Sequence, residues 1–504
     1  MANEVGSAAN LEDLFGKIVS FLTTNATLVA ANQDWTIMRQ RRDNIAALTT
    51  NLTEPTTLTF RKTIQTCRYE PRSLNTDNES ANKISNFYSA ATMGTSYVRW
   101  QLRTAREVKT VRLRAPLYSS DLTYMVRNFR LQYSDNGSTW TTALTVNAST
   151  AFSLGESKDY AVPGTPGSHL YWQIIVDSVQ SGTTAVSWMS MLLLEADGTV
   201  ANHFGSEVIL KAPGNSGSEA IYTGIRSEYD SAAGWYNLFV NGYTGYDANE
   251  QSWFKQPGAL PGYGSGSYTY AIPMIPCWDT TMPYWFVASG RSFRFAVKVS
   301  TSYEGGYLGY ILPYATPGQY PYPLAVGGSL VPQTNNRSSE WRYSYASWLH
   351  GVYPGPGCAG YAASEGIWAT LYLRNPDGEW AYFGNRGDSN PAPEDIYGPT
   401  QGTTAPYLPS GGWRSVWPHC MNDQWASGKR PYRECLGGGY ILQPCILMQR
   451  SPWAGVFGEL EGTYAISGYQ NSPENTTTFA GKTAVVFQHA YRNTVHEFWA
   501  LSLD

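Results

Sequence analysis

The stretch Phe129–Trp140, FRLQYSDNGSTW, decides the fold that the sequence predicts. Its first residues alternate apolar and polar side chains, which is typical of a β-strand with one buried face. The cluster Ser-Asp-Asn-Gly at 134–137 follows and is typical of a tight turn between antiparallel strands. Short runs of the same kind lie on both sides, at Val98–Leu102, Val108–Arg114 and Tyr171–Val176. Strands this short and regularly interrupted predict a β-sandwich or jelly roll.

Phe129–Trp140 resembles the signature of the discoidin family, the coagulation factor 5/8 type C family, in which a strand is followed by Ser, Asp-Gly and Trp. His169–Val176 and Met189–Gly198 are similar to the last strands of that family. The resemblance covers residues 69–198. Two features depart from it: only Cys67 lies near the place of a Cys pair that often closes the family's domain, and Gln101-Leu102 replaces its usual Asp-Leu.

The loops of such a sandwich gather at one end, and aromatic rings there can stack on the C–H faces of sugars. Tyr118, Tyr124 and Arg127 lie between two predicted strands and are the candidate carbohydrate-binding residues. The alternative is that these side chains simply pack the loop.

The N-terminal segment, residues 1–68, contains the one clear helix. Asn10 is placed to cap it, and Asp13 lies in its first turn, where the helix dipole favours an acidic group. Apolar residues recur at three- and four-residue spacing and predict one apolar face, made of Leu11, Leu14, Phe15, Ile18, Val19 and Leu22. This face either packs on its own domain or docks on a partner, so residues 1–68 are a candidate docking segment.

The composition excludes several classes of protein. The chain has 504 residues, a net charge of −4, 15 % charged and 14 % aromatic residues. Without a Lys/Arg block, nucleic acid is not an expected ligand. The longest apolar stretch is far shorter than the roughly 20 residues that span a bilayer, so no membrane insertion is expected. We read no signal peptide at the N-terminus and expect no disulfide scaffold from six cysteines.

Residues 199–504 read as a loop-rich β domain with aromatic side chains that clamp loops and form subunit contacts. Strands are predicted at Trp235–Asn241, Tyr284–Ala288, Phe293–Val299, Ile367–Leu373, Tyr440–Leu447 and Ala484–His489. Three long blocks of this half, Ile221–Asp247, Gly290–Gly328 and Gly458–Leu503, resemble virion proteins of tailed bacteriophages. The opening Leu11–Arg39 is similar to the start of such proteins. The resemblance implies a particle component of the tail or baseplate.

A search for catalytic and metal-binding motifs finds little. Four possible metal ligands fall within a short stretch, His419, Cys420, Cys435 and Cys445. Their spacing lacks the close pairs that zinc sites use, so buried thiols or one disulfide is the better interpretation, and no metal or cofactor is expected. Glu459 and Glu461 alternate on one predicted strand and are expected to face solvent, so they do not form a pair for glycoside hydrolysis.

The expected fold class is therefore mainly β, with an N-terminal helical segment, a discoidin-like sandwich and a loop-rich C-terminal domain. The leading functional hypothesis is a non-enzymatic structural protein of a tailed-phage virion, located in the particle after assembly in the host cytoplasm. It would form a homo-oligomer, contact other virion proteins and serve in host-surface attachment. The alternative is a carbohydrate-binding protein that recognises a host glycan, and a polysaccharide-degrading enzyme ranks below both.

Overall fold

Strands dominate the computed structural model, which describes residues 1–51, 86–89, 92–116, 122–147, 150–181, 185–188, 190–230, 235–260, 273–328, 346–347, 349, 351–352, 371–383, 414–417, 439–449, 455–489 and 498–504. The chain divides into two units. Unit 1 contains Met1–Gln40, Glu207–Glu250 and Phe254–Asp504, and unit 2 contains Arg41–Ser206 and Gln251–Trp253.

The elements of the chain follow one another in this order. The N-terminal elements are β1 (Ala2–Ala8), α1 (Leu11–Thr24), α2 (Ala26–Ala30) and β2 (Thr36–Arg41). The next ten strands are β3 (Ile45–Thr50), β4 (Asn86–Ser89), β5 (Ser96–Arg106), β6 (Thr110–Arg114), β7 (Val126–Ser134), β8 (Thr141–Val146), β9 (Ser157–Ala161), β10 (His169–Val179), β11 (Ala185–Trp188) and β12 (Ser190–Leu194). The remaining strands are β13 (Glu207–Ala212), β14 (Ile221–Asp230), β15 (Trp235–Tyr243), β16 (Met274–Cys277), β17 (Met282–Ala288), β18 (Ser292–Val299), β19 (Ser302–Tyr310), β20 (Leu312–Pro313), β21 (Leu324–Gly327), β22 (Ala346–Ser347), β23 (Gly351–Val352), β24 (Leu371–Arg374), β25 (Trp380–Phe383), β26 (Arg414–Trp417), β27 (Gln443–Gln449), β28 (Gly455–Ile466), β29 (Thr476–Phe479), β30 (Lys482–Gln488) and β31 (Phe498–Ser502).

Unit 1 is built from three large sheets. The central sheet has the strand order β1-β17-β18-β19-β21-β24-β25. The second sheet has the order β16-β15-β14-β13-β2, and the third has the order β26-β27-β28-β31-β30-β29 with β20 paired to β28. The central sheet shares one hydrophobic core with α1 and the second sheet, and another with the third sheet.

The central sheet is apolar on both faces. Phe286 of β17 lies in the core shared with α1, whereas its neighbours Trp285 and Val287 lie in the core shared with the third sheet. Because successive strand residues point to opposite faces, a sheet covered on both sides needs apolar residues at nearly every position. This explains why the alternating pattern of the C-terminal half is only partial in the sequence.

Close contact between the second and central sheets depends on one glycine. A Cβ atom added at Gly242 of β15 would come within 2.8 Å of Leu324 Cδ2 and of Val326 Cγ2. Real Cβ atoms do not approach other carbons this closely, so a larger residue would push the two sheets apart.

The predicted helix is confirmed and extends over α1. The Asn10 side chain accepts a hydrogen bond of 2.9 Å from the Asp13 amide, and the Asp13 carboxylate accepts one of 2.7 Å from the Ala9 amide. This reciprocal arrangement satisfies backbone groups at the helix start. The six residues of the predicted apolar face are all buried in the core of unit 1, namely Leu11, Leu14, Phe15, Ile18, Val19 and Leu22.

The structure therefore corrects the predicted docking role of that face. Its side chains contact strands of the same unit, so they are not available to a partner. The rest of residues 1–40 also belongs to unit 1, because β1 is an edge strand of the central sheet, with Ala2 opposite Ala288 and Ala8 opposite Met282, and β2 belongs to the second sheet. The predicted boundary at 68/69 lies outside the described residues, and the predicted domain limits stay predictions.

Unit 2 is a β-sandwich. A five-stranded antiparallel sheet has the order β3-β5-β10-β7-β8, and a three-stranded sheet has the order β12-β6-β9. Phe129 of the first sheet packs edge to face against Tyr160 of the second, with ring centroids 5.2 Å apart. Trp100 and Trp172 are fully buried on the same face of the five-stranded sheet, directly opposite each other.

The turn that the sequence predicts between two of these strands is present between β7 and β8. The Ser134 hydroxyl accepts a hydrogen bond of 3.0 Å from the Gly137 amide, and the Asn136 side chain accepts bonds of 2.9 Å from the amides of Ser138 and Thr139. Gly137 has a φ angle of +71°, which a residue without a Cβ adopts at no steric cost. The expected fold class, mainly β with an N-terminal helix and a β-sandwich, is confirmed.

We expect Phe15→Ala to reduce the free energy of unfolding of unit 1 by about 3–5 kcal/mol, because it opens a cavity in a core that has no exposed side. Val29→Ala is the matched control, since Val29 of α2 is 48 % exposed and its truncation should change stability by less than about 0.5 kcal/mol. Urea unfolding of both variants measures the difference. Equal losses in the two variants would contradict the buried position of α1.

A second prediction concerns the thiols of Cys277 and Cys445. Both are buried, and burial raises the pKa of each thiol because it disfavours the thiolate. Alkylation needs an accessible thiolate, so iodoacetamide at pH 8 should leave both residues unmodified in the native protein and modify both in 8 M urea. Peptide mapping by mass spectrometry reads this out, and rapid native modification of either residue would contradict it.

Candidate functional site

The sandwich of unit 2 has two distinct ends. At one end the chain enters and leaves: the Asn44 amide donates to the His203 carbonyl at 2.9 Å, and the Asn44 side chain donates to the Ala201 carbonyl at 2.8 Å. β10 runs from this end toward Val179, over 11 residues. We call the opposite end, formed by the described residues 122–125, 150–156 and 180–187 without 182–184, the distal loop end.

The backbone around Tyr124 is fixed at the distal loop end. The Tyr124 carbonyl accepts a hydrogen bond of 2.7 Å from the Ser187 amide. On either side, the Thr123 carbonyl accepts from Ser181 at 2.8 Å and the Met125 carbonyl accepts from Gln180 at 2.9 Å. Three consecutive carbonyls are therefore held, two by the residues at the end of β10 and one by β11. Tyr124 is half-buried.

Gln180 also fixes the loop between β8 and β9. Its side-chain oxygen accepts from the Phe152 amide at 2.8 Å, and its side-chain nitrogen donates to the Phe152 carbonyl at 3.2 Å. The ammonium group of Lys158 lies 4.4 Å from the Phe152 ring centroid and donates to the Ala151 carbonyl at 2.6 Å. Leu154 at the tip of this loop is 49 % exposed. These contacts join the described loops to one another, so the loops form one fixed surface.

The structure describes two of the three predicted sugar-binding residues. Tyr124 lies in the fixed loop described above, and Arg127, half-buried, is the second residue of β7. Tyr124 therefore belongs to the distal loop end, and Arg127 lies three positions further along the chain, at the start of the adjoining strand. Tyr118 lies outside the described residues. The role of all three in binding stays a prediction.

A second surface, on the outer face of the five-stranded sheet, was missed by the sequence reasoning. Arg99, Gln173 and Gln132 are cross-strand neighbours on β5, β10 and β7. The Arg99 Nε donates to Gln173 Oε1 at 3.0 Å, and Gln173 Nε2 donates to Gln132 Oε1 at 2.7 Å. Two aromatic rings flank the Arg99 guanidinium carbon, Tyr97 at 4.6 Å and Trp140 at 4.5 Å from their centroids. We call these five residues the Arg99 patch.

Four other arginines of unit 2 are paired with acids. Arg130 binds Asp177 through Nε and Nη2, with a shortest distance of 2.8 Å, and this hydrogen bonding raises the pKa of Arg130. Burial raises the pKa of Glu195, which lies 3.5 Å from Arg106. Two further pairs are Arg103 with Asp43 at 3.3 Å and Arg112 with Asp159 at 2.7 Å.

The carboxylates considered for glycoside hydrolysis, Glu459 and Glu461, lie on β28. Glu461 is buried rather than solvent-facing, which corrects the expectation for this residue. Its carboxylate accepts hydrogen bonds from the hydroxyls of Ser289, at 3.0 Å, and Ser292, and lies 3.6 Å from Arg294. Two serine hydroxyls and one arginine thus engage one carboxylate oxygen of Glu461 within unit 1.

Metal sites and membrane spans were also sought in the described residues. No group of three or more His, Cys, Asp and Glu side chains in this part of the chain has the placement to hold a metal ion. His419, Cys420 and Cys435 lie outside it, and Cys445 is buried in the core. Of the helices described, none combines the length and the hydropathy that a membrane crossing needs.

We expect Gln180→Ala to loosen the loop between β8 and β9, because it removes the only side chain shown to hold both the amide and the carbonyl of Phe152. Hydrogen exchange should then speed up at the Phe152 amide by at least about tenfold, the equivalent of about 1.4 kcal/mol of local stability. The Leu131 amide in the centre of the five-stranded sheet is the internal control and should not change. Unchanged exchange at Phe152 would show that the loop is held by other contacts.

Comparisons with known proteins place the similarity at the level of the fold. No family model matches the chain, and no curated protein matches it. Solved structures that it resembles include a family 32 carbohydrate-binding module of Clostridium perfringens bound to GalNAc-β-1,3-galactose, with 11 % identity, a TM-score of 0.22, and coverage of 29 % of this chain and 91 % of that one.

Two further structures resemble the chain to the same degree. One is the F5/8 type C domain of a Bacteroides fragilis protein, with 13 % identity, a TM-score of 0.23, and coverage of 29 % of this chain and 91 % of that one. The other is the family 32 carbohydrate-binding module of Streptococcus pneumoniae EndoD, with 17 % identity, a TM-score of 0.20, and coverage of 32 % of this chain and 97 % of that one. At such TM-scores the similarity says nothing about a ligand of this chain.

Proposed function

We propose that unit 2 binds carbohydrate at the distal loop end and that Tyr124 provides the stacking surface. The observation that carries the proposal is the half-buried Tyr124 on a backbone held by three hydrogen bonds. A ring on a fixed backbone loses little conformational entropy when a ligand stacks on it. The proposal takes up the carbohydrate-binding alternative of the sequence analysis in preference to its structural hypothesis.

The surroundings of Tyr124 supply the other requirements of a sugar site. Arg127 provides a hydrogen-bond donor at the same end of the sandwich, and the exposed Leu154 provides apolar surface. Sugar sites combine an aromatic platform with a few polar groups that fix orientation.

We also propose that the protein binds its ligand without catalysing a reaction. The one buried carboxylate of the pair Glu459 and Glu461 is engaged by two serines and an arginine. The roles in a phage tail or baseplate, the virion location, the homo-oligomeric state and the contacts with other virion proteins rest on sequence resemblance alone and stay predictions.

The test is binding of the purified protein to a glycan array that includes bacterial surface polysaccharides. We expect at least one glycan to bind and Tyr124→Ala to weaken that binding by about tenfold, because stacking of one ring contributes on the order of 1.4 kcal/mol. Tyr124→Phe should retain most of the affinity, since it keeps the ring.

Leu170→Ala is the matched control, because Leu170 is 36 % exposed on β10 near the opposite end of the sandwich. This variant should bind like the wild type. Wild-type protein that binds no glycan would overturn the proposal, and so would equal losses in Tyr124→Ala and Leu170→Ala.

A further inference from the structure

The Arg99 guanidinium is fixed in place without an acidic partner. Its Nε donates to Gln173, which is only 3 % exposed and is itself held by Gln132. Gln132 in turn donates to the Thr142 hydroxyl at 3.0 Å. The rings of Tyr97 and Trp140 cover the guanidinium, both with centroids within 4.6 Å of its central carbon. This network restricts the rotamers of a side chain that is otherwise among the most flexible.

The remaining donors of Arg99 are unused. Among the described residues, neither Nη group of Arg99 donates a hydrogen bond, and no carboxylate lies within 4.0 Å of it. The contrast within the same unit is direct, because Arg103, Arg106, Arg112 and Arg130 each pair with an Asp or Glu. A guanidinium with two free amino groups in one plane matches the two oxygens of a carboxylate.

The charge of this part of the chain also favours an anion. Residues 41–206 contain 16 Lys plus Arg and 13 Asp plus Glu, so this segment is positive although the whole chain has a net charge of −4. The field around unit 2 therefore attracts an acidic ligand, and the patch supplies the point of contact.

The neighbours of Arg99 indicate the kind of molecule that would carry the carboxylate. Gln132 offers an amide and Thr142 offers a hydroxyl on neighbouring strands, at the exposed end of the hydrogen-bond row that begins at Arg99. Such groups both donate and accept hydrogen bonds, which is the requirement for binding sugar hydroxyls. We propose that the Arg99 patch is an acidic-saccharide site, in which Arg99 binds the carboxylate of a hexuronate and Gln132 and Thr142 contact the hydroxyls of the same chain.

This site is separate from the distal loop end, so the two proposals can fail independently. The probe is an oligogalacturonate of three or four residues, and its neutral counterpart is the same oligomer with its carboxyls reduced to alcohols. Isothermal titration of the full chain at low ionic strength should show binding of the acidic oligomer and at least tenfold weaker binding of the reduced one.

Variants then locate the site. Arg99→Gln should weaken binding of the acidic oligomer by at least about tenfold, and Arg99→Lys should also weaken it because a lysine lacks the planar fork. Arg112→Gln is the matched control: it removes the same charge from the three-stranded sheet, where Arg112 is paired with Asp159, and should change affinity less than twofold. Circular dichroism and thermal unfolding confirm that each variant is folded, and Arg99→Lys serves if Arg99→Gln does not fold.

Tyr124→Ala should leave binding of the acidic oligomer unchanged, whatever its effect on the glycan array. The inference is overturned if the wild type does not bind the acidic oligomer or binds the reduced one equally well. Equal losses in Arg99→Gln and Arg112→Gln would overturn it too, because they would show attraction by net charge alone. Loss of binding in Tyr124→Ala would also overturn it, by placing the acidic ligand at the distal loop end.

Discussion

The burial of the central sheet on both faces is the constraint on which unit 1 depends. Trp285 and Phe286 are adjacent in β17, yet they belong to different cores. Each strand of this sheet therefore holds two layers together at once, and a change of register by one residue would exchange the two sets of side chains. The N-terminal residues complete this arrangement, because β1 extends the central sheet and α1 fills the space between it and the second sheet.

Buried charge follows from the same constraint. Arg294 in the middle of β18 has no exposed surface, and it lies 3.6 Å from Glu461 and donates to the Ser292 hydroxyl at 3.0 Å. A buried arginine is tolerated only when it is paired and hydrogen-bonded. On the second sheet, Arg226 pairs with Glu207 at 3.0 Å and with Glu228 at 3.2 Å in the same way. Several of the few charged residues of unit 1 are thus buried in its interior and paired there.

Local patterns in the sequence were sufficient to predict some elements of the structure and not others. The cap and apolar face of α1, the β7–β8 turn and strands such as β17, β18 and β30 are local features, so the sequence predicts them. The function of α1 depends on what covers its apolar face, and that is decided by β14, β15 and β17, which lie more than 190 residues away along the chain. For the same reason β1 was not expected: its partner strand is distant, and its seven residues carry no strong pattern.

The two candidate sites differ in the same way, since one is a local feature of the sequence and the other depends on residues that are distant along the chain. Tyr124 was found because aromatic residues in a loop between strands are visible in the sequence. The Arg99 patch was missed because it is assembled by register: Arg99 opposes Gln173, which opposes Gln132, and these residues lie on three strands. The alternation of Tyr97, Arg99 and Gln101 on β5 was a signal for a polar outer face, but it could not reveal which residues lie opposite.

The aromatic richness of the chain also has a different meaning from the expected one. Loop clamps and subunit contacts were predicted, and some Tyr-rich loop positions are indeed exposed, as for Tyr314 and Tyr322. Six tryptophans, however, are among the largest fully buried side chains: Trp35, Trp100, Trp172, Trp188, Trp253 and Trp499. In the part of the chain that the structure describes, large rings therefore fill the interiors between sheets. Arg99 differs from the buried tryptophans and from the paired arginines. The rings of Tyr97 and Trp140 beside it are not in a core, and among the described residues no acid is paired with its charge.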